Sequence, residues 1–209
     1  VYMGSRPRAM LEVLQESKLN LGVTFGVFAQ LPGTTSCRDP RVCLGHHDEY
    51  AARLTALSAA GHSMASGRIK TQMQSMYANH GMHYSHRWRM HKGLLSDWGP
   101  GGPWGGRTFR GDTREPTPPS TDEAVYAATA QQLLEDLVAR KITNAVKGHG
   151  LNLSRFDGLV VVGGVGHNIR LNTALKQHYG LPVHVPAAPG NRGLALGMLL
   201  ARLRPPPGP

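Results

Sequence analysis

Acidic residues are scarce in this chain: 13 Asp and Glu stand against 23 Lys and Arg, a formal net charge of +10. Charged residues of both signs make up only 17% of it, so Ser, Thr, Asn, Gln and His must carry much of the polar surface. No paired-carboxylate spacing and no Ser/His/Asp order stands out, which removes the simplest acid–base and triad chemistries. The basic excess favours an anionic partner such as a nucleotide, a nucleic acid or an acidic surface. The arginines are scattered, however, so a compositional bias toward Arg, Ala, Gly and Pro stands as the alternative. Cysteine is nearly missing. Cys37 and Cys43 lie in a turn-rich loop at a separation that fits no zinc motif, and two thiols make no disulfide framework. A reduced, cytoplasmic setting is expected. Long hydrophobic runs are absent too: none reaches the roughly 18 residues of a membrane span, and the N-terminus has no signal-peptide profile. The reading is a soluble protein. The chain opens on Val1 rather than Met, and we read it as a piece of something longer.

Glycine and proline are plentiful instead, 26 and 15 of 209 residues, and their distribution divides the chain. Residues 1–66 carry apolar residues at broadly helical spacing from Ala9 to Leu31, broken near Gly22 and Gly26. An Ala-rich helical pattern follows, with Leu54 and Leu57 on one face and Gly61 as its stop. Residues 67–121 read as a low-order basic insertion, because "SDWGPGGPWGGRTFRGDTREPTPPST" is too rich in Gly and Pro for helix or central strand. Residues 122–204 are the best organised, and 205–209 form a tail. Ser120 followed by Glu123 is a capping box. Ala130, Leu133, Leu134, Leu137 and Val138 give the helix after it an apolar face, and Gly148 and Gly150 end it. Then come a strand in "GLVVVGG", a helix from about His167 to Tyr179, a strand in "LPVHVP" and a last helix in "GLALGMLLARL". This alternation predicts an α/β fold with a parallel-rich sheet flanked by helices.

Each strand ends in a glycine turn that opens a helix, "GGVGHN" and then "PGNRG". The carboxyl end of a strand, facing a helix N-terminus, is where α/β sheets bind ligands, and the free amides there suit a phosphate. With parallel strands both turns open at one edge and can share one ligand. The first turn is no P-loop, since Gly166 is followed by His167 and Asn168 rather than Lys and Ser or Thr. It is no dinucleotide fingerprint either, since position 169 is Ile. Tight turns that merely let helix and sheet pack are the competing explanation.

Other clusters are weaker. His80, His83 and His86, with His91 nearby, would share a helix face as a metal cluster, but no acid or cysteine accompanies them. Arg87, Trp88 and Arg89 combine charge with a stacking surface for nucleic acid, against the simpler reading of a solvated basic loop. His46, His47 and Asp48 are best read as a loop leading to a helix capped by Asp48. His184 reads as a satisfied polar group at a sheet end, and the eight methionines as packing.

The pair "VVVGGVGHNIRLN" and "PVHVPAAPGNRGLALGMLL" resembles the nucleotide-binding half of carbamoyltransferases of the nodulation and antibiotic-tailoring type. Gly163, Gly164, Asn168 and Asn172 match the family's first motif, and Pro186, Gly193, Ala195 and Gly197 its second. "RLTALSAAG", Arg53 to Gly61, is similar to a further family segment. The resemblance implies an actin-like ATPase (ribonuclease H-like) lobe. It implies a transferase that forms carbamoyl-adenylate from carbamoyl phosphate and ATP, then passes the carbamoyl group to an acceptor hydroxyl in concert with a second domain. Gly163, Gly164, Val165 and Asn168 would lie against the nucleotide's phosphates or ribose, with Asn172, Asn191 and Gly193 completing the set. The family also uses a divalent metal. Its second-turn Asp is Asn191 here, a poorer ligand for a hard cation, and the family's H-x-x-x-H motif is missing. A non-catalytic nucleotide-binding or interaction module of the same fold is therefore one alternative. The turn is also similar to that of tRNA threonylcarbamoyladenosine synthases, so an RNA-associated protein is another.

Overall fold

The computed structural model describes residues 2–5, 10–15, 21–29, 47–78, 121–190 and 193–203. In chain order these form β1 (Tyr2–Ser5), β2 (Met10–Val13), α1 (Leu21–Phe28), α2 (His47–Leu57), α3 (Arg68–Ala78), α4 (Thr121–Gly148), β3 (Leu159–Val160), α5 (Ile169–Tyr179), β4 (Val183–His184) and α6 (Leu194–Leu203). Short 3₁₀ turns stand at Ser58–Ala60, Leu153–Arg155 and Gly164–His167. The described residues are thus mixed α/β and mostly helical, with one antiparallel pair, β1–β2, and one parallel pair, β3–β4. No helix among them is long and apolar enough to cross a membrane.

The 28-residue helix α4 is the organising element. Ala124, Ala127, Ala130, Leu133 and Leu134 recur at helical spacing and are buried, with Leu137 and Val138 packed on the edge of the same core. Small residues near its start allow α2 and the turn after it to approach closely. Against this face pack α1, α2, α3 and α5. The aromatic centre of the core joins three helices: Phe28 of α1 stacks edge-on with Tyr77 of α3 (5.2 Å) and Tyr126 of α4 (6.4 Å). Tyr77 is buried, which pushes its hydroxyl well above the usual tyrosine range, and that hydroxyl donates to the Ala130 carbonyl at 3.2 Å. Each side chain buried at this level contributes about 1.5–3 kcal/mol.

Three expectations are corrected. Met10–Val13 is a strand, not the start of a helix: it pairs with β1 in the register Tyr2↔Val13 to Ser5↔Met10. A short apolar run fits either period, and here a neighbouring strand decides. Gly22 and Gly26 do not break α1 but lie inside it, where Gly22 admits the Val165 side chain, 3.5 Å from its Cβ position. Residues 68–78, placed by composition in the low-order insertion, form α3. Ile69, Met73, Met76 and Tyr77 make an apolar stripe that is buried in the core. Residues 79–120, which hold the Gly/Pro-rich stretch, lie outside the described residues.

Candidate functional site at the paired glycine turns

β3 and β4 pair in parallel, Leu159↔Val183 and Val160↔His184, so both following turns emerge at the same edge. The turns also touch. The Gly163 N–H donates to the Pro189 carbonyl at 2.6 Å. A Cβ on Gly166 would lie 2.9 Å from Pro189 Cβ and 3.1 Å from the Val161 carbonyl, so this buried position admits only hydrogen. A Cβ on Gly193 would lie 2.0 Å from the Ala188 carbonyl oxygen. Gly163 is needed for another reason. At φ 85° and ψ 176° it occupies a region that is essentially closed to residues with a side chain. The glycines therefore divide the work: Gly166 and Gly193 allow close packing, and Gly163 sets the chain's direction. Gly164 is exposed, and no atom lies within 4 Å of a Cβ built on Gly163, so this side of the turn is open.

Asn168 begins α5 and is buried. Its Oδ1 accepts from the Leu171 N–H at 2.9 Å, which caps the helix. The same oxygen accepts from Gln131 Nε2 (3.1 Å), while Asn168 Nδ2 donates to Gln131 Oε1 (2.9 Å) and to Thr55 Oγ1 (3.2 Å). All four bonds of this amide are made within the protein. Asn168 thus fixes the turn from behind, joining α2, α4 and α5. Beside it Arg170 Nη1 donates to Ser58 Oγ at 3.0 Å, and Asn172 Nδ2 donates to the Gly166 carbonyl at 2.9 Å. Asn172 Oδ1 is buried without a hydrogen-bond partner among the described residues.

Gln131 Nε2 also donates to Glu135 Oε1 at 2.7 Å. Burial raises the half-buried Glu135 carboxyl above its ordinary value, against the opposing pull of the Gln131 bond and the Arg170 charge. The folded chain then holds this proton more tightly than the unfolded chain. The group's contribution to stability is full below its ordinary value of 4.5 and is lost as pH rises through the raised one. A Glu135→Gln chain, which keeps an acceptor for Gln131, should melt higher than wild type near neutral pH. In thermal melts between about pH 4 and 7 that gap should close toward the acid end.

The structure brings together most of the residues singled out from sequence. Gly163, Gly164, Val165, Asn168 and Asn172 occupy one turn and the helix it opens, and Gly193 lies at the second turn; Asn191 falls outside the described residues. The segment Arg53–Gly61 packs behind the site through Thr55 and Ser58, while Arg53 itself is exposed and pairs with Glu49 one turn back. His184 is exposed on β4. Cys37, Cys43, His46, His80, His83, His86, Arg87, Trp88, Arg89 and His91 lie outside the described residues, as do the side chains of His47 and Asp48. Among the described residues no three His, Cys, Asp or Glu side chains gather as a cation site. Sequence reasoning missed Gln131, Glu135 and Arg170. The available signal was Gln131 itself, a polar residue on the same helical face as the apolar Ala127 and Leu134.

The class that these observations define is a mixed α/β chain with two glycine turns in contact at one edge of a parallel strand pair. An uncharacterized protein of Methanocaldococcus jannaschii is 34% identical to it over 83 residues, a span covering 40% of this chain and 15% of that protein. No family model matches the chain, and no solved structure matches it significantly.

Proposed function

We propose that the chain carries the nucleotide-binding half of an actin-like ATPase lobe, within a protein that uses ATP to transfer the carbamoyl group of carbamoyl phosphate to an acceptor hydroxyl. One observation supports this most: the parallel pairing of β3 and β4, which sets both glycine turns of the family-like motif against each other. The residues fit a nucleotide. The open side of Gly163 and the exposed Gly164 give a phosphate close access to backbone, and His167 beside them is exposed. Asn168, with its amide fully engaged, acts by holding the turn rather than by touching the ligand. The described residues do not supply the donor set of a divalent metal, so no step is routed through one. A nucleotide-binding module without catalysis is the second reading, and Asn191 in place of the family's Asp favours it.

Calorimetric titration with ATP and ADP, with and without magnesium, tests the proposal beside a Gly164→Asp variant. Gly164 is exposed, so the variant should fold. Its carboxylate would face the phosphates, and like charges at a partly screened few ångströms weaken binding roughly tenfold or more. Wild-type binding that the variant loses supports the site. A folded wild-type chain that binds neither nucleotide, or a variant that binds as well, contradicts it.

A further inference from the structure

The hydrogen-bond chain behind the glycine turn has a fixed direction. The Leu171 N–H requires the oxygen of the Asn168 amide, so Asn168 Nδ2 must face Thr55 and Gln131. Thr55 can only accept there, because its own hydroxyl donates to the Ala51 carbonyl at 2.9 Å. Gln131 is oriented in turn: its Oε1 meets Asn168 Nδ2, and its Nε2 meets Asn168 Oδ1. One N–H of Gln131 then remains, and Glu135 Oε1 accepts it at 2.7 Å. The chain of buried amides therefore ends on a titratable acceptor. Glu135 is acted on by Arg170 of α5, whose charge favours the carboxylate, and by Asp136 of α4, whose charge opposes it. From α2 and the turn after it come the uncharged hydroxyls of Thr55 and Ser58, which meet Asn168 and Arg170. His167, exposed on the glycine turn, is the titratable residue next to Asn168 in sequence. A neutral glutamine would accept the bond from Gln131 with a smaller desolvation cost, so the architecture alone does not call for a carboxyl at position 135.

We propose that Glu135 is a proton-sensitive support of this turn: its ionisation is passed through Gln131 to Asn168 and tightens the cap on α5. A carboxylate accepts a stronger bond from Gln131 Nε2 than a carboxylic acid does. That pull polarises the Gln131 amide and makes its Oε1 a better acceptor for Asn168 Nδ2. The Asn168 oxygen then holds the Leu171 N–H more strongly. Protonation reverses each step. The turn is thereby firmer above the midpoint of the carboxyl than below it, while the chain as a whole is less stable there, because burial opposes the ion. A glutamate with no part in the relay would show only the second effect. The inference does not rest on nucleotide binding.

The test is a pH titration of the isotope-labelled full chain, read by nuclear magnetic resonance between about pH 4 and 8, the range in which a raised carboxyl ionises. The Glu135 carboxyl carbon reports the midpoint of its own ionisation, separately from that of Asp136. The Leu171 amide proton and the side-chain amide protons of Gln131 and Asn168 should move downfield with that midpoint as pH rises. A Glu135→Gln chain, which keeps an acceptor for Gln131, should lose this titrating component. A His167→Gln chain, altered at an exposed position beside the cap, should retain it. Cap protons that stay still while Glu135 titrates overturn the proposal, and the wild-type chain alone is enough to show that. Movement that survives in Glu135→Gln, or that disappears in His167→Gln, overturns it as well.

Discussion

Asn168→Ala should lower the free energy of unfolding by roughly 2–4 kcal/mol, read from urea denaturation at neutral pH. Two separate losses combine. The Leu171 N–H at the start of α5 loses its cap, which costs about 1 kcal/mol. Gln131, 1% exposed, then faces a buried void with part of its amide unmet, which costs about 1–3 kcal/mol more. Asn168→Asp separates these parts. It keeps the capping oxygen but donates nothing to Thr55 or Gln131, so it should retain the cap and lose the remainder. An alanine variant within about 0.5 kcal/mol of wild type would show that the amide pair is not formed in solution.

Gly61→Ala should be as damaging for a different reason. A Cβ at this position would lie 2.2 Å from the Ala124 carbonyl oxygen and 2.8 Å from the Val125 nitrogen. Both atoms are backbone of α4 and cannot swing aside as a side chain tip would. Conformation is not the obstacle, because φ −120° and ψ 174° at Gly61 is extended chain open to any residue. The penalty is therefore overpacking, about 1–3 kcal/mol or more, and it pushes the end of α2 away from α4. Thr55 and Ser58 would move with it, so the support behind Asn168 and Arg170 should loosen as well. Thermal unfolding gives the size of the effect. A melting temperature unchanged by the substitution would mean that the turn after α2 does not sit on α4.

What the sequence made legible was local. The apolar face of α4 follows from its helical period alone, and the pairing of Leu133 and Leu134 with the core follows from that face. The adjacency of the two glycine turns follows from reading the strands as parallel, which one pair of strands bears out. The actin-like lobe is a finer statement that rests on the resemblance. What escaped was non-local. Met10–Val13 becomes a strand because Tyr2–Ser5 lies beside it, and four residues carry too short a pattern to announce that. The helix Arg68–Ala78 was hidden by the Gly/Pro density further along its segment, although Ile69, Met73, Met76 and Tyr77 had the period of a buried face. Asn168 was identified for its place in a motif. Its actual bonds run to Gln131 and Thr55, 37 and 113 residues away, and no spacing rule connects residues so far apart. The same distance hid Glu135, whose raised carboxyl depends on the burial that this packing creates.

The most direct test of the central claim, that the paired turns hold a nucleotide, is an ATP titration of the isotope-labelled chain followed at its backbone amides. The account predicts saturable shifts concentrated at Gly163, Gly164, Val165 and Gly193, with the amides of α3 unmoved. Shifts confined to scattered arginines, or none at all in a chain that gives the spectrum of a folded protein, would contradict it.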